Sequence, residues 1–262
     1  MYNYSKIAPD GRTNYAYPSD DMLINGNSLS DLIDGYRQLH VAGRGVVGMK
    51  PHLTEVPGRA GAFFNYTQDD IRELKITFKL EAKSSDELRD KYERLNAILR
   101  GVNADGYLPI KFADEPSWSY FGVLSDAKDA PEQGLQVIDE YEIICPNPYK
   151  KHDVQSSKGK VELYHAKEVN PLTIEGEVLT TVSAIGFKVG TKQIVFMGSY
   201  KVGQKVKFEW TTEEFKAIVA GSSIMHELAN FHIPETFTVK HDDVVEPIGF
   251  RLDKVTWQDE RL

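Results

Sequence analysis

The segment Leu74-Lys75-Ile76-Thr77-Phe78-Lys79-Leu80-Glu81, with the residues that follow it to Gly101, decides how this chain folds. Apolar side chains fall on every second position of the first part, the pattern of a strand with one buried and one wet face. After Ala82-Lys83 the period changes. Ser84 stands three residues before Glu87, a capping box that satisfies orphan amides at a helix start. Leu88, Tyr92, Leu95 and Leu99 then recur at helical spacing and line one face. Gly101 supplies the residue that a helix end often needs. On the polar face Glu87 precedes Lys91 and Asp90 precedes Arg94 by four, the favourable order for such pairs. A strand that feeds an amphipathic helix at about 84–100, laid across a sheet, is the expectation.

Length points to two domains, since 262 residues exceed the usual size of one. The composition, 41% hydrophobic and 27% charged, is that of a soluble globular protein with real cores. The N-terminus has no apolar run of signal-peptide type, and no segment approaches a membrane span. Synthesis in cytoplasm, with no membrane partner, is therefore expected. A single cysteine, Cys145, leaves no internal disulfide and no all-cysteine metal site. The formal charge of −8 speaks against nucleic acid as a bound ligand. Residues 1–150 hold 17 basic and 23 acidic side chains, a net of −6, so most of the excess acid lies there.

Along the chain, residues 1–21 read as an irregular lead-in, rich in turn formers and tyrosine. Met22-Leu23-Ile24 ends in Asn25-Gly26, the strongest two-residue hairpin signal present. Strand-like pieces follow at Leu39–Val41 and Val46-Val47. The run from His52 to Thr67 reads as a loop carrying Pro57-Gly58-Arg59-Ala60-Gly61. Its glycines flank an arginine placed to reach carbonyls or a carboxylate. Further strands are expected at 108–112, 120–124 and 134–144, the last ended by Cys145-Pro146-Asn147-Pro148 because proline does not sit inside a central strand. The polar tract Lys150–Lys160 is the linker, which gives domains 1–150 and 151–262. The second domain shows short strand signals at 172–174, 193–197, 206–210, 237–239 and 249–252, the pattern of an antiparallel sandwich. Thr211–Ser222 begins with a capping box yet reads as a strand entering a turn. The fold class is mainly β: an α+β N-terminal domain of antiparallel sheets with one helix, and a C-terminal β-sandwich.

Catalytic signatures do not assemble. Gly43-Arg44-Gly45-Val46-Val47-Gly48 spells the dinucleotide fingerprint, but Pro51 follows and no helical period begins there. The closest histidines, His226 and His232, are six apart, and His226-Glu227 lacks the second histidine of a zinc-protease helix. Asp20-Asp21, Asp69-Asp70 and Asp242-Asp243 are adjacent, the arrangement of solvated loop charge rather than an acid/base couple. No nucleophile elbow occurs, and Cys145 reads as a small packing residue. Asn65-Tyr66-Thr67 fits a glycosylation acceptor without a secretory context. The chain is not expected to be an enzyme or to carry a cofactor or metal.

Several pieces line up in order: Asn25-Gly26, Val56-Pro57-Gly58-Arg59-Ala60-Gly61, the strand and capped helix at 74–101, Phe112-Ala113-Asp114-Glu115-Pro116, and Cys145-Pro146-Asn147-Pro148-Tyr149. Over residues 22–150 this set resembles the distal tail protein family of siphophages and prophages. Pro57, Gly58, Arg59, Gly61, Pro146 and Pro148 are the family-motif structural residues. The resemblance implies a galectin-like second domain and a virion structural protein at the tail tip. It implies a homo-hexameric ring joining tail tube, tip protein and receptor-binding proteins, with viral DNA passing through its channel. The alternative is a carbohydrate-binding module for host attachment. For that reading Trp257, near the C-terminus, is the candidate stacking ring, while Trp210 alternates with Val206 and Phe208 as a core residue.

Overall fold

In a computed structural model the structure describes residues 20–128, 134–211, 214–229 and 233–262. The lead-in expected over 1–21 lies, through residue 19, outside the described residues. Two compact units emerge, one reaching to Lys150 and taking in Leu262, the other Lys151–Arg261.

The first unit opens with β1 (Met22–Ile24) and β2 (Asn27–Ser28), joined by Asn25-Gly26 with both residues at positive φ. That is the backbone a two-residue hairpin turn demands. A short helix α1 (Leu29–Leu32) follows, capped by Ser28 Oγ, which accepts from Ser30 N. Then come β3 (Tyr36–Ala42), β4 (Met49–Glu55), β5 (Ala62–Asp69), β6 (Arg72–Glu81), helix α2 (Ser85–Leu99), β7 (Leu108–Phe112), β8 (Glu115–Ala127) and β9 (Gln136–Cys145). The main sheet runs β2-β1-β7-β8-β9-β6-β3, every pair antiparallel.

Strand β6 behaves as its alternation dictates. Leu74, Ile76, Phe78 and Leu80 are buried, and β9 pairs along its length from Arg72↔Cys145 to Glu81↔Gln136. Helix α2 lays Leu88, Leu95 and Leu99 into the same core. Its cap forms as a box: Glu87 N donates to Ser84 Oγ at 3.2 Å, and Glu87 Oε2 accepts from Lys83 N at 2.8 Å. Lys91 pairs with Glu87 at 2.7 Å but is nearly buried, because its ammonium also donates to the Glu81 carbonyl at 2.7 Å. The helix is thereby tied to the end of the strand it covers.

Two local expectations fail here. Val46-Val47 is not a strand, and the presumed loop from His52 to Thr67 is the ribbon β4–β5, a two-stranded sheet outside the main one.

Strand β10 (Lys150–His152) straddles the division, and the second unit contains β11 (Gln155–Ser157), β12 (Thr173–Glu177), β13 (Val182–Val189), β14 (Lys192–Tyr200), β15 (Lys205–Trp210), β16 (Phe215–Val219), β17 (Ser222–Ser223), β18 (Glu246–Ile248), β19 (Arg251–Trp257) and β20 (Glu260–Arg261). Its sheets run β11-β19-β12-β15-β16-β17 and β14-β13-β18. One core joins them, with Ile174, Phe208 and Val255 of the first against Ile185, Phe187 and Phe196 of the second. Aromatic rings fill its middle: Phe187 meets Phe208 and Phe237 edge to face at 4.9 and 5.0 Å between centroids. β16 turns through Ala220-Gly221 into β17, as the strand reading of 217–222 requires. Phe237–Val239 forms only an isolated bridge, Val169↔Val239, and not a strand.

Candidate functional site

The β4–β5 ribbon is the part of the first unit whose chemistry is unresolved by its own fold. Its register pairs His52 with Tyr66, Leu53 with Phe64 and Thr54 with Phe63, and a bulge inserts Asn65 between the first two pairs. Asn65 Nδ2 donates to Thr54 Oγ1 at 2.8 Å and fixes that kink. At the tip, Arg59 N donates to Val56 O at 3.2 Å across Pro57-Gly58, with Gly58 at φ 81°. Proline presets the second residue of such a turn and glycine supplies the positive φ of the third, the chemistry of a type II turn. Arg59 was expected to seek carbonyls or a carboxylate. Its guanidinium instead lies 4.3 Å over the Phe63 ring, where an exposed cation and a π face attract.

Few of the ribbon's large side chains are covered. Met49, Leu53, Val56, Phe63, Phe64 and Tyr66 are all exposed, Phe64 to 62%. The His52 and Tyr66 rings stack at 4.3 Å, one of the few covers the ribbon provides for itself. An isolated two-stranded ribbon is marginal in water, and this one leaves large apolar side chains uncovered on both of its faces.

At its base the ribbon's two strands are tied to each other by charge. Lys50 meets Asp70 at 2.5 Å, and Asp70 N donates to Gly48 O. The Gly43–Gly48 segment leads into this strand. Arg44 binds Asp114 at 2.7 Å and Glu115 at 3.0 Å, with its guanidinium 4.2 Å over Phe112. Glu115 also takes Lys150 at 2.6 Å. Burial alone would raise the Glu115 carboxyl, but the hydrogen bond and charge of Lys150, with the charge of Arg44, hold it below the usual range. Beneath them Arg72, 1% exposed, donates to the carbonyls of Gly43, Gly45 and Pro148. Position 72 falls in phase with the buried Leu74, Ile76, Phe78 and Leu80 of β6. Pro148 is thus held as an acceptor in the interior, while Pro146 is exposed directly after β9. Gly61 closes the tip at φ 79°.

Other sequence candidates resolve differently. Trp257 is not an exposed stacking ring: it is 2% exposed, packs in the second core, and its Nε1 donates to Glu162 O at 3.1 Å. Nearness to the C-terminus does not expose it, because β19 runs between β11 and β12. Trp210 is buried, with Nε1 donating to Pro234 O. Asp21 is not solvated loop charge. It is 2% exposed, Ser28 Oγ donates to it at 2.5 Å, and burial first, then Asp31 and Asp20, push its carboxyl up to about 6. Cys145 is buried, which pushes its thiol up to about 11, unsuited to a nucleophile. His232 lies outside the described residues, and among the described residues no cluster of three His, Cys, Asp or Glu side chains could hold a metal. No described helix is long and apolar enough to cross a membrane.

Comparison with known proteins agrees with this architecture. The family model of the phage tail protein RIFT-related domain matches residues 25–141. The chain is similar to the crystal structure of SPP1 Dit (gp 19.1), described as a paradigm of the hub adsorption apparatus in phages infecting Gram-positive bacteria. That match has 18% identity and a TM-score of 0.73, and covers 92% of this chain and 99% of that one. It is also similar to a chain of the phage P2 baseplate in its activated conformation with Ca, at 10% identity and a TM-score of 0.53, covering 90% of this chain and 93% of that one. No curated protein matches the chain.

Proposed function

From a chain that carries a phage tail protein RIFT-related domain and shares the fold of a distal tail protein, we propose a structural hub of the tail tip that assembles as a homo-hexameric ring. The observation that carries the proposal is the β4–β5 ribbon. It is built to a defined register, closed at its base by a Lys50–Asp70 ion pair, and left with its apolar rings in water. A neighbouring copy that covers those rings turns an unstable projection into an interface core.

In this reading the N-terminal units close the ring around a channel through which viral DNA passes. The ring joins the tail tube to the tip and receptor-binding proteins. The acid excess of residues 1–150 suits a conduit, because a wall that binds phosphates would hold the DNA it must release. The roles of Arg44, Arg72 and Lys150 are architectural: they hold the segments at either end of the ribbon-bearing unit. The protein acts in the virion by binding and positioning, and no catalytic step is assigned to it.

Negative-stain images of the purified full chain test the proposal. Six-fold rings with a central opening are expected. Particles without rotational symmetry at all concentrations would overturn it.

A further inference from the structure

The start of the first unit hangs on one buried carboxylate. Asp21 immediately precedes β1 and is almost fully buried. Its Oδ2 accepts from Ser28 Oγ at 2.5 Å, and the same Ser28 Oγ accepts from Ser30 N at 3.0 Å to cap α1. The main chain beside it is held as well. Ala113 N donates to Asp21 O, while Gln38 accepts from Met22 N at 2.9 Å and donates to Asp20 O at 2.8 Å. One side chain thus links the start of β1, the β1–β2 hairpin and the cap of α1. The apolar side chains of the same segment, Met22, Ile24, Leu29 and Ile33, are inserted in the core.

The polar atoms of the segment are incompletely satisfied. Asp21 Oδ1 is buried without a hydrogen-bond partner, and so are Asp20 Oδ1 and Ser30 Oγ. The titratable groups coupled to Asp21 are Asp20, Asp31 of α1, Tyr36 of β3 and Tyr141 of β9, and none of the four brings positive charge. A buried carboxylate stays ionised without cost only where several donors or a cation meet it. Here Ser28 Oγ supplies one donor, with a smaller backbone contribution from Met22 N. The closed segment therefore favours neutral Asp21, and the ionised form gains by carrying its unpaired oxygen into water.

We propose that Asp21 is a proton-operated latch for residues 20–33: neutral, it holds the β1–β2 hairpin and α1 on the sheet, and ionised, it drives a local opening that leaves β6, β9 and α2 in place. The open form is a minor state, because Met22, Ile24, Leu29 and Ile33 leave the core with it. Its population rises with pH. The proton is bound more tightly in the closed segment, at about 6, than in the open one, at 3.8, so closure is complete at low pH and weakens as pH rises through about 6. The latch is independent of ring assembly and of the hub role.

Hydrogen exchange of the full-length chain, read by mass spectrometry on proteolytic fragments and corrected for the intrinsic pH dependence of amide exchange, tests it. Between about pH 5 and about pH 7.5 the fragment covering 22–33 should lose about tenfold in protection, while fragments from β6 and β9 stay closed over the same times. Asp21→Asn cannot ionise and should keep the low-pH protection of 22–33 at both pH values. Ser28→Ala removes the hydroxyl donor and the cap, so it should open the segment at both pH values and make the ratio between them larger than in the wild type. The proposal is overturned if protection of 22–33 does not change with pH, if Asp21→Asn retains the tenfold change, or if β6 and β9 open together with 22–33, which would be unfolding of the whole unit. Should Asp21→Asn fail to fold, Ser28→Ala decides, and a ratio no larger than that of the wild type overturns the proposal.

Discussion

Replacing Leu53 and Phe64 together by serine separates assembly from folding. The two are cross-strand partners on one face of the β4–β5 ribbon, exposed to 55% and 62%. Burying a whole Leu or Phe side chain stabilises by about 1.5–3 kcal/mol, so covering the portion still in water is worth about 1–2 kcal/mol for each. The double variant therefore removes roughly 2–4 kcal/mol per subunit interface, a rise of about 30- to 900-fold in the dissociation constant of each contact. Within the isolated subunit the loss is far smaller, limited to one cross-strand pair worth about 0.2–1 kcal/mol. Sedimentation velocity over a concentration series reads the first effect and thermal unfolding of the dilute protein the second. The expected outcome is a self-association midpoint displaced to higher concentration by about 30-fold or more. The subunit's unfolding midpoint should fall by only a few degrees. An unchanged sedimentation profile, or a loss of subunit stability as large as that of a core truncation, would refute the assignment of this ribbon to the interface.

Other parts of the fold make separate demands. Asp21, raised from 3.8 to about 6, binds its proton more tightly folded than unfolded. Its favourable contribution is complete below the unfolded value and is lost as pH rises through about 6, so Asp21→Asn should raise stability by about 2–3 kcal/mol near pH 8 and leave it unchanged near pH 4; equal effects at both pH values in urea titrations would contradict this. Gly43 has φ +89°, and a Cβ there would stand 1.7 Å from Glu73 O. Gly43→Ala should destabilise by about 3 kcal/mol or more in urea unfolding, and a change below about 1 kcal/mol would show that the loop yields. Ser84→Ala, which removes the acceptor of Glu87 N, should cost about 1 kcal/mol by the same assay. Cys145 should resist alkylation in the native protein and react at the rate of an ordinary thiol after unfolding, since burial both hides it and keeps it protonated.

What was legible in the sequence follows one physical rule: periodicity shows where an element has one wet face and one dry one. Strand β6 and helix α2 meet that condition, so their alternation, cap and heptad-like spacing could be read directly. The ribbon does not. Leu53 and Phe64 point to one face, His52, Phe63 and Tyr66 to the other, and a bulge breaks the phase at Asn65. With both faces in water, and Pro51 inside β4, the stretch has the appearance of a loop. Pro57-Gly58 was the surviving signal, the chemistry of a tight turn. Trp257 failed for a different reason, because burial depends on the neighbours of a strand and not on its distance from the chain end.

The most direct test of the hub is the mass of the full-length chain in solution, measured by native mass spectrometry or light scattering as concentration rises. Assembly to a hexamer or a multiple of it, without a stable intermediate of smaller size, is expected. A single-subunit mass at every concentration up to the solubility limit would contradict it.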